Sequence, residues 1–201
     1  VVRGFMQIFY RETYIPEKKK EYLQLMIREL DRAETIINDY LTLARPKLEK
    51  LETIDIREQI DFVLETVSSF SLLNNVDVEK QLDRHPLKVR GNKEKLSQVL
   101  INLIKNAIEA SKPGESVRIT ALGSDDYIKI VVEDNGVGMS REQLKQVGTP
   151  FYSTKENGTG LGLTVCFRIV ESMYGKMKVE SEQGKGTKIT VELPRYKESS
   201  E

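Results

Sequence analysis

The chain lacks an excess of charge of either sign, a long apolar run and a second cysteine. Lys plus Arg and Asp plus Glu both number 31 among 201 residues, so no basic excess favours nucleic acid as a partner. No apolar stretch approaches the roughly 20 residues of a membrane span, and no secretion signal opens the chain. The single Cys166 cannot form an internal disulfide, which fits a reducing compartment. We expect a soluble cytoplasmic segment without DNA or membrane contacts. The longer parent protein can be anchored in the membrane through an upstream segment.

A heptad pattern marks the N-terminal part of the chain. From Glu17 to Arg45 apolar residues recur at steps of three and four, and one helix cannot bury such a seam alone. A shorter apolar stripe precedes it, and Pro16 is placed to open the second helix. We expect two antiparallel helices that pair with a second copy into a homodimeric four-helix bundle; the alternative is a monomer whose hairpin packs on the rest of the chain. The seam comprises Leu23, Met26, Leu30, Ala33, Ile37, Tyr40 and Ala44, and the stripe Val1, Val2, Phe5, Ile8 and Phe9.

The pattern changes beyond Pro46 to helices alternating with strands. Pro46 cannot extend the helix without losing a backbone hydrogen bond, so we divide the chain into residues 1–46, 47–196 and a tail, 197–201. The expected fold class is α+β, a helical hairpin followed by an α/β sandwich with a mixed sheet. Helices are expected over Glu58–Leu73, Lys93–Ser111 and Leu163–Tyr174, and strands over Val76–Leu82, Lys88–Arg90, Val117–Leu122, Tyr127–Glu133, Met177–Glu182 and Lys188–Leu193.

Two glycine-rich runs and a pair of amides suggest the chemistry. The run Asp134–Gly138 ends an apolar strand, and Gly158–Leu163 precedes a helix. A carboxylate can accept a hydrogen bond from an amino-purine, and glycines let backbone N–H groups approach phosphates. Asn102 and Asn106 are four residues apart, which places both amides on one helix face. Together these features predict an ATP pocket.

In this order, the segments resemble the motif boxes of sensor histidine kinases. The two asparagines match the N box, Asp134–Gly138 and Gly158–Gly162 the two glycine boxes, and Pro150–Lys155 the F box. The resemblance covers residues 47–196 and implies a Bergerat-type ATP-binding domain, shared with DNA gyrase, Hsp90 and MutL. Residues 1–45 resemble part of a dimerisation and phosphoacceptor module, and the sporulation kinases of endospore-forming bacteria are the nearest group.

The resemblance also implies roles for individual residues. Asp134 recognises adenine by accepting a hydrogen bond from its exocyclic amine, and Asn106 holds Mg²⁺ through its amide oxygen. Asn102 stands where related ATPases carry a hydrolytic glutamate; an amide cannot activate water, which suits a kinase that spares ATP for its acceptor. Asn102 and Asn106 are the expected catalytic residues. The residues expected to bind Mg·ATP are Asn102, Asn106, Asp134, Gly136, Gly138, Lys155, Thr159, Gly160, Leu161, Gly162 and Leu163.

The segment from Met139 to Gly158 is expected to form a lid over this site. It is polar and glycine-containing, and loops of that length are usually functional or disordered. Phe151 within it is expected either to dock on the acceptor helix or to make an ordinary core contact. The start of the following helix is expected to face the phosphates with its free N–H groups.

One position departs from the family pattern. Many relatives carry a lysine three residues after the second asparagine, whereas Glu109 stands there in this chain. A phosphate contact is therefore missing, and Lys105 or Arg141 is the expected substitute. Lys155 is expected either to neutralise phosphate charge or to remain solvated.

The one histidine, His85, lies in a turn and is rejected as the phosphoacceptor because no orienting partner is expected. By resemblance, the acceptor histidine lies about two helical turns before Val1. The implied reaction transfers the γ-phosphoryl of ATP to that histidine and then to an aspartate of a response-regulator receiver domain. The helical bundle is the expected dock for the receiver and for a small antikinase inhibitor protein.

Two other functions fit the same pocket. One is a protein-serine kinase of the anti-sigma type, against which the long heptad hairpin argues. The other is a non-enzymatic, ATP-gated clamp of the MutL kind, in which nucleotide drives association.

Overall fold

The computed structural model divides the chain into two compact units, Val1–Arg45 and Pro46–Glu201. It describes residues 4, 6, 7, 9, 16–44, 51–155 and 158–197. The first unit contains helix α1 (Glu17–Ala44), where the heptad seam predicted it. Pro46, the expected turn at residues 14 and 15 and most of the preceding apolar stripe lie outside the described residues.

A five-stranded mixed sheet forms the base of the second unit. Its strand order is β2-β4-β5-β7-β6; β2 and β4 are parallel and the other neighbours antiparallel. A separate antiparallel pair joins β1 and β3. Buried Ile128 and Ile130 alternate with exposed residues along β5, as one buried face requires. The strands are β1 (Glu52–Asp55), β2 (Asp77–Leu82), β3 (Lys88–Gly91), β4 (Ser116–Gly123), β5 (Tyr127–Asp134), β6 (Lys176–Glu182) and β7 (Gly186–Pro194).

Three helices pack on this sheet, α2 (Ile56–Asn74), α3 (Lys93–Ala110) and α5 (Gly162–Ser172), and the first two begin at side-chain caps. Asp55 accepts from Arg57 N at 2.8 Å to begin α2, and Asn92 accepts from Lys95 N at 2.9 Å to begin α3. Asn75 ends α2 in the left-handed conformation, with φ 52°. The helices of the second unit are α2 (Ile56–Asn74), α3 (Lys93–Ala110), α4 (Arg141–Gln146) and α5 (Gly162–Ser172).

The predicted helices and strands of this unit are observed with ends shifted by two residues at most. Two elements were missed. Strand β1 has four residues and exists through its pairing with β3, more than 30 positions away, which local pattern cannot reveal. Helix α4 lies inside the segment expected to be an irregular lid, although the capping box of Ser140 and Gln143 was readable as a helix start.

Helix α3 is central to the core. It packs against α2, α5 and strands β4, β5 and β7. Its buried stripe has helical spacing and includes Leu100 and Ile104, both with no exposed surface. The apolar burial leaves another face of the same helix for polar side chains.

Truncation of this stripe should destabilise the fold. We expect Leu100→Ala to lower the free energy of unfolding by about 2–5 kcal/mol, because it removes buried methyl groups and leaves a cavity. Urea unfolding followed by circular dichroism measures the change. Glu65→Ala, on the exposed side of α2, is the control and should change stability by no more than about 0.5 kcal/mol. Equal effects of the two substitutions would contradict the assignment of this core.

Candidate nucleotide-binding site

The two asparagines of α3 contact each other on one face of the helix. Asn106 Nδ2 donates to Asn102 Oδ1 at 2.7 Å. This bond turns the Asn106 amide oxygen away from Asn102, and Lys155 Nζ donates to that oxygen at 2.7 Å. Asn106 Oδ1 therefore faces a position that a cation already occupies.

Asp134, at the end of β5, is a nearly buried carboxylate with 5% of its surface exposed. Its Oδ1 accepts from the backbone N–H of Gly136 at 2.9 Å and of Thr187 at 3.2 Å. Burial raises the pKa of the Asp134 carboxyl above its ordinary value, and the two backbone hydrogen bonds lower it in part. Sequence reasoning missed Thr187, which lies 53 positions from Asp134 at the start of β7 and pairs with it across the sheet.

The glycine turn after Asp134 is joined to the end of α3. Val137 N donates to the Ala110 carbonyl at 3.1 Å, and a Cβ on Gly136 would overlap that same carbonyl. Gly138 adopts φ 60°, and a Cβ there would overlap the Glu182 carbonyl. The first glycine run thus brings Asp134 to the asparagine-bearing helix.

The second glycine run also touches that helix. A Cβ on Gly162, the first residue of α5, would overlap the side-chain amide of Asn102. Leu161, the N-cap residue, makes no side-chain capping bond, and its own side chain is buried with 1% exposed. Thr159, Gly160 and Leu163 are partly exposed around this helix start. The start of α5 and the asparagines therefore share one wall, with the helix dipole favouring an anion there.

These residues fit an adenosine nucleotide and magnesium. Among the residues that the structure describes, none donates to Asp134 Oδ2, so this carboxylate oxygen is free to accept from an exocyclic amine. Asn106 Oδ1 is an oxygen donor of the type Mg²⁺ takes, and it already accepts from an ammonium group. Gly136 and Val137 approach α3 at Ala110, Gly162 approaches it at Asn102, and Lys155 reaches Asn106 from the lid segment.

The lid segment is partly helical and presents Phe151 to solvent. Helix α4 occupies residues 141–146 of the segment expected to form the lid. Phe151 is 68% exposed at φ 66°, so the alternative of an ordinary core contact was wrong. Phe151 N donates to the Gly160 carbonyl at 3.0 Å, which ties the lid to the second glycine run.

The positive group that contacts Asn106 belongs to Lys155, which was not one of the two substitutes expected for the missing lysine. Lys105 Nζ lies over the ring of Phe70, 5.2 Å from its centroid. Lys155 instead forms an ion pair with Glu109, the residue that stands in the lysine's place. Arg141 is the first residue of α4. The alternative of a merely solvated Lys155 does not hold, because its ammonium contacts both Glu109 and Asn106.

His85 lies far from the site, although it has a partner that was not expected. Its Nδ1 is 3.1 Å from Asp83 Oδ1, and this contact is the main reason why the pKa of Asp83 falls to about 2. Asp83 Oδ2 accepts from Gly123 N at 3.3 Å, and Gly123 pairs with Ile128 near the start of β5. Asp134 lies six residues further along β5, about 20 Å away at roughly 3.4 Å per residue. His85 therefore lies at the opposite end of the strand.

The sequence matches a family model described as histidine kinase-, DNA gyrase B-, and HSP90-like ATPase over residues 91–197. The chain belongs to this family. The match contains both glycine runs, the asparagine pair and Asp134. The resemblance to histidine kinases found in the sequence is confirmed.

Individual relatives extend the likeness beyond this domain. Sporulation kinase C of Bacillus subtilis (strain 168) is 38% identical over 199 residues, covering 98% of this chain and 46% of that protein. The catalytic domain of histidine kinase ThkA is 28% identical with a TM-score of 0.67, covering 73% of this chain and 97% of that one. ThkA in complex with the response regulator TrrA matches with 27% identity and a TM-score of 0.75, over 96% of this chain and 56% of that one. The chain spans about half the length of the curated relatives it matches.

A search of the described helices for a membrane span found none that is both long and apolar enough.

Substitution of Asp134 tests its expected contact with the adenine amine. We expect Asp134→Asn to weaken adenosine-nucleotide binding roughly 10- to 100-fold, because an amide NH₂ would face the exocyclic amine and a charge-assisted hydrogen bond would be lost. Calorimetric titration measures the affinity. The nucleotide-free variant should be at least as stable as the wild type, since burial raises the pKa of Asp134 and its ionised form costs folding free energy. Asp126→Asn, at an exposed ion pair with Lys197, is the matched control and should bind normally.

The same pKa shift sets a pH dependence. The carboxylate must be ionised to accept from the amine, and a raised pKa means that it gains its proton at a higher pH than an exposed aspartate. Nucleotide affinity of the wild type should therefore fall as the pH is lowered through that pKa. Titrations of Asp134→Asn at the same pH values correct for protonation of the nucleotide itself. Parallel pH profiles for the two proteins would rule out this role for Asp134.

Proposed function

We propose that the chain is the catalytic and dimerisation core of a sensor histidine kinase that phosphorylates a histidine of its parent protein from Mg·ATP. The observation that carries this proposal is Asp134 beside the asparagine pair: a buried carboxylate with one oxygen fixed by two backbone donors and the other unengaged. The likeness to sporulation kinase C over 98% of the chain supports the kinase class. The phosphoryl group then passes to an aspartate of a receiver domain, in a sporulation phosphorelay.

The residues of the site would position the substrate and offset its charge. In phosphoryl transfer the protein contributes mainly alignment and electrostatic stabilisation. Asp134 would fix the base, and the start of α5 would take the phosphates. Asn106 would hold Mg²⁺, and the bound ion would offset phosphate charge. Asn102 cannot act as a general base, so water is not activated and the phosphoryl group is kept for the histidine.

We place the acceptor on a segment outside this sequence and the reaction in the cytoplasm, where ATP and a reducing environment for Cys166 are found. His85 lies near the start of β5 and Asp134 at its other end, about 20 Å along the strand, so His85 is not the target within the same subunit. The response regulator TrrA, seen in complex with ThkA, is the kind of receiver that would accept the group. The helical bundle would dock the receiver, and a small antikinase protein would act on the same surface.

The dimer proposal rests on the exposure of the heptad seam. Met26, Ile37 and Tyr40 are 48%, 58% and 59% exposed in the single chain. A seam of this period is buried by neighbouring helices, and a second copy of the same helix supplies them with matching spacing. The proposed assembly is a four-helix bundle of two chains.

The phosphorylation chemistry decides between the functions. The chain extended through its natural upstream segment should become labelled by γ-labelled ATP with Mg²⁺, and the product should be acid-labile and alkali-stable, as a phosphohistidine is. Asp134→Asn in the same extended chain should lose most of the label, while Asp126→Asn should keep it. An acid-stable ester would favour a serine kinase, and ATP-dependent association without label would favour a clamp.

The dimer has its own test. We expect Ile37→Glu to raise the dimer dissociation constant at least about tenfold, because a charge at a buried seam position costs more than about 1.4 kcal/mol. Sedimentation equilibrium measures the change. Gln24→Glu adds the same charge to α1 at an exposed position outside the seam and should leave the dimer intact. A wild-type chain that sediments as a monomer at all concentrations would disprove this interface.

A further inference from the structure

The ammonium group of Lys155 links the lid to the amide-bearing face of α3. Lys155 Nζ donates to Asn106 Oδ1 at 2.7 Å and forms an ion pair with Glu109. Both acceptors belong to α3 at positions three apart, whereas Lys155 lies 49 and 46 positions further along the chain. One side chain therefore makes two polar contacts between the lid and the helix.

The oxygen that Lys155 engages is the one proposed to hold magnesium. An ammonium group and a divalent cation compete for the same oxygen, because each is positive and each takes oxygen donors. A triphosphate, in turn, competes with Glu109 for the ammonium, since both are anions. Binding of Mg·nucleotide would therefore compete with both contacts that Lys155 makes on α3.

We propose that Glu109 is a positioning residue that holds Lys155 on α3, and that Mg·nucleotide binds by exchange: Lys155 leaves Glu109 and Asn106 for the phosphates. This inference rests on the proposed nucleotide site. A lysine at this position would attract the phosphates, whereas Glu109 competes with them for Lys155. The carboxylate sets how tightly the lid is held and how much of the binding free energy is used to release it.

The strength of the pair limits the size of the effect. The side chains of Lys155 and Glu109 are 43% and 40% exposed, so solvent screens their attraction. Exposed ion pairs contribute a small part of folding stability, and loss of this one should change nucleotide affinity by roughly two- to fivefold. Glu109→Gln removes the charge with little change of shape.

The first measurement uses the protein without nucleotide. Hydrogen–deuterium exchange of peptides covering residues 147–155 should be faster in Glu109→Gln and in Lys155→Met than in the wild type. The charge-reversed variant, Glu109→Lys with Lys155→Glu, should exchange more slowly than Lys155→Met, because it restores the ion pair although a carboxylate cannot donate to Asn106 Oδ1. Glu171→Gln, which breaks an ion pair with Arg168 elsewhere on α5, is the control and should leave these peptides unchanged. Exchange in Glu109→Gln equal to that of the wild type would overturn the proposal.

The second measurement separates positioning from simple support of the fold. A calorimetric titration with a non-hydrolysable ATP analogue and Mg²⁺ should show Glu109→Gln binding roughly two- to fivefold more tightly, with an unchanged melting temperature. Lys155→Met should bind more weakly, because it loses the phosphate contact together with the Glu109 contact. Weaker binding by Glu109→Gln would overturn the exchange model.

Failure of the two proposals can be told apart. A wild type that takes up no Mg·nucleotide would end the proposed function, while the exchange rates measured without nucleotide would still report on the Lys155–Glu109 contact. A wild type that binds nucleotide, together with unchanged lid exchange in Glu109→Gln, would leave the kinase proposal intact and remove Glu109 from it.

Discussion

Helix α3 has two faces with different tasks, and the site follows from the way both are satisfied together. Its apolar stripe is buried against α2, α5 and the sheet. Asn102, Asn106 and Glu109 share another face at steps of four and three. Because the buried stripe fixes the rotation of the helix, these polar groups have no freedom to turn elsewhere. Gly162 lies against the Asn102 side chain, and the Ala110 carbonyl accepts a hydrogen bond from Val137 N. Both glycine runs are therefore positioned by one helix.

The placement of Asp134 shows how a charge is kept in a nearly dry position. Desolvation disfavours its ionised form, and two backbone N–H groups, from Gly136 and Thr187, compensate in part. Both donors act on one oxygen, which leaves the other for a ligand. Gly186, at φ 102°, permits the approach of the second turn, since a Cβ there would overlap the Asp134 carbonyl. Pre-organisation of this kind would leave little reordering for the proposed binding of a base.

Charge on the phosphate side of the site is distributed differently from the family pattern on which the resemblance rests. Glu109 replaces a lysine, and the positive charge comes from the lid through Lys155 instead of from α3. In the exchange proposed above, this arrangement would link the position of the lid segment to the charge offered to the phosphates.

Much of this protein is determined locally and was readable from the sequence. The heptad seam predicted α1, alternating apolar residues predicted β5 and β7, and the spacing of Asn102 and Asn106 placed both amides on one face, because these periods follow from the geometry of a single helix or strand. Tertiary structure decided the remainder. Local pattern holds no information on pairings across large separations in the sequence. Three such pairings formed only when the elements packed: β1 with β3, Thr187 with Asp134, and Lys155 with Glu109. Each of these contacts costs chain entropy to form and exists because the packed core holds its two partners in reach.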